Sequence, residues 1–291
     1  MSMEAPIIIK GVGGIYEVLD GEKTVLCKAK GSFRWEGITP LVGDRVRYTA
    51  FEKGYARIED ILPRKNALIR PAAANIDRLF IVLSAGAPAP DYLLCDKLLV
   101  EAGLSGIEPI LLLNKMDAAR GDVQEVFDRD YAAFPHFFVS AHTGEGLERI
   151  QALIDGHVCC FAGQSAVGKS SLINGLLPQL ALPTGDLAKK TERGKHTTRH
   201  AQLYPCFGGA LLDTPGFSLF EPESYDTEAL NRCYPEFKQA QPCRFPGCAH
   251  IKEPDCGVKA LLQEGKLSQE RYDRYVVIAQ DFIYRRKHRY D

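Results

Sequence analysis

The sequence predicts a multidomain α/β protein with three successive parts: a small β-barrel, a mostly parallel α/β domain and a cysteine-containing helical region. Short strands broken by glycine turns fill about the first 65 residues, which is typical of a barrel or sandwich. Apolar strand-length runs then alternate with helical spacing, which predicts a parallel sheet covered on both faces. A segment rich in proline, cysteine and charge follows. We place the domain boundaries at residues 1–66, 67–221 and 222–291.

The predicted barrel strands carry β-branched or aromatic residues, and turns such as Asp20-Gly21 and Val42-Gly43-Asp44 separate them. Several short strands at this spacing favour a small barrel, of which the oligonucleotide-binding fold (OB-fold) is one. The strand segments are Ile7–Lys10, Gly14–Val18, Thr24–Ala29 and Arg45–Phe51.

The middle part alternates strands and helices, and the chain is again helical from about Val258. Predicted strands are Leu79–Leu83, Pro109–Leu113, Phe137–Val139, His157–Ala162, Ala201–Cys206 and Ala210–Asp213. Predicted helices are Tyr92–Ala102, Asp122–Ala133, Gly146–Ile154 and the helix that Lys169–Leu177 opens.

Composition excludes some classes of protein. Lys plus Arg number 36 against 37 Asp plus Glu, so net charge does not single out a nucleic-acid partner, although a local basic face is compatible with it. The longest apolar runs are far shorter than the ~20 residues of a membrane span, and the N-terminus lacks signal-peptide features. Nine cysteines, three of them clustered, suit a reducing compartment with one metal site, so we expect a cytoplasmic protein.

A phosphate-binding loop is predicted where G-x-x-x-x-G-K-[ST] follows an apolar strand and opens a helix. Its backbone N–H groups would point at phosphate oxygens, Lys169 would lie near the β- and γ-phosphates, and the Ser170 hydroxyl would bind Mg²⁺. A positive φ at Ala166 would cost about 1–2 kcal/mol. A chance glycine-rich turn is the alternative. The predicted binding residues are Gly163, Gln164, Ser165, Ala166, Val167, Gly168, Lys169, Ser170 and Ser171.

A base-reading motif, Asn114-Lys115-Met116-Asp117, follows the strand Pro109–Leu113. The Asp117 carboxylate can accept hydrogen bonds from guanine N1–H and its amine, whereas adenine would leave it unpaired at a cost of about 1–3 kcal/mol. Lys115 would pack along the base, and Asn114 would tie the loop to its neighbours. Ser140-Ala141-His142, after the next strand, would offer a backbone N–H to guanine O6. The alternative is a helix start with Asp117 as its cap.

Two further segments fit the switches of a nucleotide hydrolase. In Asp213-Thr214-Pro215-Gly216, Asp213 would hold Mg²⁺ through water and the Gly216 N–H would contact the γ-phosphate. Phe217 stands where many GTPases carry a water-orienting Gln, so intrinsic hydrolysis should be slow.

The segment Gly194–Arg199 lies where the first switch belongs. We favour Thr198 as a Mg²⁺ ligand, with Thr197 as the alternative. His196 has the only nearby side chain suited to handling water near neutral pH, so it is the candidate catalytic residue. The alternative is that His196 is a mobile loop residue or a γ-phosphate contact.

The motif order is circularly permuted, because the base-reading residues precede the phosphate loop. Joining the old termini of a standard domain gives this order. The permutation attaches the barrel to the base-reading half of the chain and tethers Gly216 to the C-terminal part. Loss of the γ-phosphate is then expected to release the second switch and move that part.

A metal site is predicted by Cys243-x₄-Cys248-x-His250-x₅-Cys256, which supplies three thiolates and one imidazole. Four protein ligands make a closed tetrahedral set for one structural Zn²⁺. The alternative is a group of buried reduced thiols.

Taken together, the chain resembles the ribosome small subunit-dependent GTPase A family (RsgA/YjeQ/YloQ) over nearly its whole length. The resemblance rests on the permuted order, on Lys195–Thr198 before Asp213–Phe217, on Cys243–Cys256 and on Val42–Val46. It implies an OB-fold, a circularly permuted P-loop GTPase domain and an α-rich zinc-binding domain.

The resemblance also implies a role in late maturation of the 30S subunit, binding to 16S rRNA, release after hydrolysis, and GTP hydrolysis with Mg²⁺ that the subunit stimulates. It favours a catalytic His196, and we expect a monomer. Barrel residues that suit RNA, by stacking or phosphate contact, are Lys28, Lys30, Arg34, Trp35, Arg45 and Arg47, and the tail Arg285–Arg289 is a further basic segment. A solvated rim is the alternative for both.

Two other functions compete with the GTPase interpretation. A nucleotide-gated RNA-binding switch with negligible turnover agrees with Phe217. A permuted GTPase that serves a membrane or metal-trafficking partner is disfavoured by the missing amphipathic anchor and the closed metal shell.

Overall fold

In the computed structural model of the chain, residues 5–51, 54–68, 72–119, 121–182, 201–213 and 225–288 are described. Five strands at the start each bury at least one side chain in a shared core. They are β1 (Ile7–Val12), β2 (Ile15–Asp20), β3 (Lys23–Ala29), β4 (Val46–Thr49) and β5 (Ala56–Ile61).

These strands close into the predicted barrel in the order β1-β2-β3-β5-β4, and a bridge between Ile7 and Arg45 returns β4 to β1. The β3–β5 pair is parallel and the other pairs are antiparallel. A short helix, α1 (Ser32–Trp35), follows β3 and buries Phe33. Side chains including Ile8, Val18 and Ile58 fill the interior.

A hairpin of β6 (Ala67–Leu68) and β7 (Ala73–Ala74) connects the barrel to the next sheet and holds the barrel in place. The Ala74 N–H donates to Val42 O (2.8 Å), and the Asn75 amide donates to Gly43 O (3.0 Å). Gly43 has φ 92°, and a Cβ there would lie 2.0 Å from Ala74 O. Only glycine therefore permits this close approach.

The central sheet contains five parallel strands in the order β10-β9-β8-β11-β13, with antiparallel β12 beside β13. Side chains along β8 alternate between two cores: Leu79 and Ile81 pack in one, Phe80 and Val82 in the other. The strands are β8 (Arg78–Ser84), β9 (Glu108–Asn114), β10 (His136–Phe138), β11 (Val158–Ala162), β12 (Gln202–Cys206) and β13 (Gly209–Asp213).

Helices cover both faces of this sheet, as the continuous apolar strands require. They are α2 (Tyr92–Leu104), α3 (Val123–Tyr131), α4 (Leu147–Ile154) and α5 (Lys169–Leu176). The element types agree with those that the sequence predicts.

The barrel joins the central sheet at β12, where Lys10 of β1 pairs with Gln202. The base-reading strands β9 and β10 lie at the opposite edge of the central sheet. The barrel precedes the base-reading half in the chain, but its strand contact is with the other edge of the sheet. The hairpin before β8 supplies the second contact.

The C-terminal unit (residues 225–288) contains α6 (Thr227–Arg232), α7 (Gly257–Gln263) and α8 (Gln269–Lys287). Its core includes Leu230, Tyr275 and Phe282, together with Val100 of α2. The single helical stretch predicted from Val258 is two helices, because Gly265 adopts φ 68° and the Ser268 side chain caps α8. None of the helices in the described ranges has the length and apolarity needed to cross a membrane.

Candidate nucleotide and metal sites

The predicted nucleotide motifs meet at one edge of the central sheet. Ser84 at the end of β8 is in register with Asn114 at the end of β9. Ala162, the last residue of β11, pairs with Ile81, and Asp213 ends β13 next to β11. Ligands of open α/β sheets bind at this carboxyl edge.

The phosphate loop depends on two glycines. Gly163 has φ 133°, and a Cβ there would lie 2.3 Å from Val82 O. Gly168 has φ 101°, and a Cβ there would lie 2.3 Å from Asn114 Nδ2. Helix α5 begins at Lys169, so Ser170 and Ser171 lie in its first turn, where backbone N–H groups have no partner within the helix.

Ala166 adopts a positive φ of 65°, so the conditional cost of about 1–2 kcal/mol applies to the loop. Val167 is buried and packs in the core between the sheet and α5.

Lys169 folds back over the loop that precedes it. Its Nζ donates to Gly163 O (2.6 Å) and to Gln164 O (2.8 Å). Burial lowers the pKa of Lys169 to about 8. A phosphate group bound in the loop would place a negative charge beside this ammonium and so raise its pKa again.

Asn114 holds three segments together. Its buried side chain donates from Nδ2 to Val167 O of the phosphate loop (2.9 Å) and accepts at Oδ1 from the Ala141 N–H (3.0 Å). The Ala141 N–H thus serves the loop structure itself. This agrees with the predicted role of Asn114 in tying the base-reading loop to its neighbours.

Lys115 makes a similar connection through its ammonium group. The residue adopts φ 64°, and its Nζ donates to Ala166 O (2.7 Å) and to Ala87 O. The loop that contains Ala87, between β8 and α2, was not predicted to take part. Its only signal in the sequence is that it follows a strand of the same sheet.

Asp117 presents a carboxylate that neighbouring donors keep ionised. The Ser140 hydroxyl donates to Oδ1 (2.6 Å), and His142 Nδ1 lies 3.3 Å from Oδ2. The hydrogen bond from Ser140 is the main reason that the pKa of Asp117 lies below its ordinary value. Asp117 lies in the short 3-10 helix Met116–Ala118, and Asp122 stands at the N-cap of α3, so the capping interpretation is wrong.

Asp213 is half-buried at the end of β13, opposite Gln202. Burial raises the pKa of its carboxyl group above the ordinary value. A divalent cation at this position would favour the ionised form. His196, Thr197, Thr198, Gly216 and Phe217 lie outside the described residues.

The four predicted metal ligands lie together in the C-terminal unit, with their ligand atoms all within 4.8 Å of one another. Cys243 Sγ lies 3.9 Å from Cys256 Sγ and 3.5 Å from His250 Nδ1, which is 3.3 Å from Cys256 Sγ. Zn–S bonds of about 2.3 Å at tetrahedral angles place two sulfurs about 3.8 Å apart. The site, completed by Cys248, therefore fits a tetrahedral metal ion.

Without a cation, burial keeps His250, Cys248 and Cys256 in their neutral forms. Burial lowers the pKa of His250, which keeps the imidazole neutral, as a ligand must be. Burial raises the pKa of the Cys248 and Cys256 thiols, so a cation among the sulfurs is needed to stabilise thiolates.

The far side of the imidazole is held by residues that the sequence did not indicate. His250 Nε2 lies 3.0 Å from Asn231 Nδ2 of α6. The Tyr275 hydroxyl of α8 lies 2.7 Å from both Asn231 Oδ1 and Ala249 O, and Tyr272 donates to His250 O (2.7 Å). These contacts orient the ligand ring, as outer-shell partners of metal sites do.

Comparison with known proteins identifies similar chains over nearly the whole length. The family described as RsgA GTPase matches residues 61–223, and the RsgA N-terminal domain matches residues 7–58. The small ribosomal subunit biogenesis GTPase RsgA of Agathobacter rectalis is 41% identical over 298 residues, which cover 97% of this chain and 99% of that protein. The protein of the same name from a Geobacillus species is 40% identical over 97% of this chain and 98% of its own length.

Solved structures share the fold. The crystal structure of YjeQ from Thermotoga maritima matches with a TM-score of 0.82 at 35% identity, over 96% of this chain and 98% of that one. The crystal structure of YloQ, described as a circularly permuted GTPase, matches with a TM-score of 0.80 at 35% identity, over 96% and 95% of the two chains. The permuted order predicted from the motifs therefore has direct counterparts among solved structures.

Proposed function

The chain belongs to the RsgA GTPase family and is a GTP-hydrolysing enzyme, and from this premise we propose that it couples GTP hydrolysis to late maturation of the small ribosomal subunit. The observation that carries the nucleotide part of the proposal is the position of Asn114, whose one side chain joins the phosphate loop to the Ser140–His142 segment. The relatives' names supply the ribosomal part.

In the proposed complex, the guanine base lies against Lys115 and its N1–H and amine donate to Asp117. Because the Ala141 N–H already donates to Asn114, another backbone N–H of the Ser140–His142 segment faces O6. The phosphates lie in the loop Gly163–Ser170, beside the ammonium of Lys169. GTP-binding residues in this proposal are Asn114, Lys115, Met116, Asp117, Ser140, Ala141, His142, Gly163, Gln164, Ser165, Ala166, Val167, Gly168, Lys169, Ser170, Ser171, Thr197, Thr198, Asp213 and Gly216.

We propose two metal ions with different tasks. Mg²⁺ accompanies GTP, bound by Ser170 and Thr198 with Asp213 contacting it through water, and it neutralises phosphate charge. Zn²⁺ occupies the Cys243, Cys248, His250 and Cys256 site and stabilises the fold of the C-terminal unit. We assign the unit boundaries as 1–66, 67–221 and 222–291.

Hydrolysis is proposed to depend on His196, since Phe217 cannot orient water. The test is His196→Ala, assayed for GTP turnover with small ribosomal subunits present. We expect kcat to fall by about 10²-fold or more, while GDP affinity stays constant. An unchanged kcat would remove His196 from the mechanism.

The barrel offers a surface that suits single-stranded or looped 16S rRNA. Lys28 lies 4.5 Å from the ring centre of Tyr55, Arg57 lies 5.4 Å from that of Phe51, and Trp35 is 91% exposed. Aromatic rings beside cations stack on bases while the cations contact phosphates. We propose that this face binds the rRNA.

The decisive experiment measures GTP turnover and co-sedimentation with small ribosomal subunits. We expect subunits to accelerate turnover and a non-hydrolysable GTP analogue to retain the protein on subunits better than GDP does. Turnover that stays negligible, together with nucleotide-dependent binding, would favour the second candidate, an RNA-binding switch. That candidate is supported by Phe217. In either case we propose a monomer that acts in the cytoplasm, where small ribosomal subunits are assembled.

A further inference from the structure

A cluster of buried charged side chains joins helix α8 to the central α/β part. Arg271 is 1% exposed and Asp96 of α2 is fully buried. Arg271 Nε donates to Glu236 Oε1 (2.8 Å), and its Nη1 forms an ion pair with Asp96 that lacks hydrogen-bond alignment. The guanidinium lies 4.5 Å from the ring centre of Tyr234 and 5.2 Å from that of Tyr131. None of these groups takes part in the proposed chemistry.

Arg274, one turn along α8, bridges two helices of the central part. Its Nε donates to Asp96 Oδ2 of α2 (2.7 Å), and its Nη2 donates to Asp130 Oδ2 of α3 (2.9 Å). The Tyr131 hydroxyl of α3 also donates to Asp96 Oδ1 (2.6 Å). We call Asp96, Asp130, Arg271 and Arg274 the α8 clamp, because together they set the spacing of α2 and α3.

Net stabilisation is a weak explanation for such a cluster. Desolvation of buried ions often cancels their attraction, and apolar replacements of similar volume are commonly neutral or stabilising. Directional, charge-assisted hydrogen bonds do, however, fix geometry. The clamp is therefore better explained by a role in positioning the helices that it joins.

The helices that the clamp joins both continue from loops of the nucleotide site. The loop before α2 contains Ala87, whose carbonyl accepts from Lys115 Nζ. In the same loop, Gly86 packs closely on the base-reading segment: a Cβ on Gly86 would lie 3.2 Å from Ala118 O. The loop before α3 contains Asp117. A change in the spacing of the two helices would therefore move the base-reading residues.

We propose that the α8 clamp positions the base-reading loop, so that docking of the C-terminal unit and binding of the guanine base stabilise each other. The inference rests on the guanine site proposed above. Arg274 is then a positioning residue, distant from the chemistry. GDP and GTP share the base, so both depend on the clamp to the same extent.

One test replaces Arg274 with Met, which keeps an unbranched stem but cannot bridge two carboxylates. We expect the affinities for GDP and GTP to fall by the same factor, about tenfold, with kcat at saturating GTP unchanged. Lys266→Met, which removes an exposed cation paired with Glu264 in the same unit, is the matched control and should alter neither. A folded Arg274→Met variant with unchanged affinity, or with a loss confined to GTP, would overturn the proposal.

A second test needs no variant, because coupling between two sites is reciprocal. If the clamp links them, adding GDP must slow amide hydrogen exchange in α8 as well as in α3. Normal GDP binding with unchanged exchange in α8 would refute the coupling alone. Failure of the intact protein to bind GDP would refute the guanine site, and the coupling with it.

Discussion

Lys169 shows how the phosphate loop prepares for a ligand at the scale of one residue. Burial lowers its pKa to about 8 in the protein without nucleotide, well below the unfolded value. A bound phosphate raises that pKa again, so binding takes up a proton above pH 8. We expect GDP affinity to be highest below pH 8 and to fall about tenfold by pH 9.

The same pKa change has the opposite effect on the stability of the nucleotide-free protein. Between pH 8 and about 10 the unfolded chain binds more protons than the folded one, so this contribution to the free energy of unfolding rises with pH.

Titrations of GDP from pH 7 to 9 check the predicted change in affinity. Lys169→Arg, whose guanidinium stays protonated across this pH range, should flatten the profile, and a flat wild-type profile would contradict the prediction.

Asn231 allows a prediction about the metal site. Metal on His250 Nδ1 leaves Nε2 as a donor, and the side chain of Asn231 lies 3.0 Å away. With its amide turned, Asn231 presents an oxygen to that donor and gives up its hydrogen bond to Cys248 O (3.2 Å), so we expect Asn231→Leu to lower zinc affinity about 10–100-fold. Asn231→Asp should retain the affinity, since a carboxylate also accepts. Competition with a chromogenic chelator measures both, and equal affinities for the Leu and wild-type proteins would exclude this role.

Single residues also show where prediction from sequence ends. Asn114 and Asp117 are predictable because the chemistry of guanine and the preceding strand restrict them. Ala87 and Asn231 are not, because they act on Lys115 and His250 through contacts 28 and 19 residues apart. Ala166 lies between these cases. The motif restricts its φ, but its side chain gives no sign of that conformation.

At the scale of elements, apolar runs decide which strands can be predicted from the sequence. The central strands are buried on both faces and are therefore recognisable as continuous apolar segments. Strand β5 was missed, because Ala56–Ile61 carries Arg57, Glu59 and Asp60 among its six residues. Its parallel partner β3 lies more than 25 residues earlier, so no local signal marks the pair.

The contact of the barrel with the β6–β7 hairpin provides a prediction at this scale. Gly43→Ala combines a positive φ with a Cβ 2.0 Å from Ala74 O. We expect it to destabilise the docked barrel by about 2–4 kcal/mol and to expose residues 62–76 to proteolysis.

Gly54 is a matched control for that substitution, because it has φ 90° and a Cβ there would meet nothing within 4 Å. Gly54→Ala should therefore cost only the backbone term, about 1–2 kcal/mol. Urea unfolding of the two variants separates strain from the clash. Equal midpoints would show that the hairpin contact does not hold the barrel.

At the scale of the whole molecule, the C-terminal unit is attached to the rest of the chain in several ways: Val100 of α2 packs into its core, and two further attachments bear on its motion. One is the covalent link through the second switch, which the sequence made evident. The other is the α8 clamp, whose members lie 144 and 178 residues apart in the chain. Any motion of this unit on loss of the γ-phosphate must move α2 and α3 with it or break the clamp.

Metal removal tests this connection across the molecule. Chelation should unfold the region around the metal site, loosen α8 and weaken GDP binding by about the same factor as Arg274→Met. Because both act through the clamp, chelation of the Arg274→Met protein should weaken binding little further. Fully additive losses would mean that the metal site and the clamp affect the nucleotide independently.

The clamp also has a consequence for the synthesis of the chain. Asp96 and Asp130 belong to helices that are made early, whereas Arg271 and Arg274 belong to the last helix of the described chain. During translation the two carboxylates must remain hydrated, because no arginine is yet present to accompany them into the interior. A nascent chain therefore completes its guanine pocket only after the metal-binding segment has been made. Nucleotide affinity should thus rise once α8 has been made and has docked.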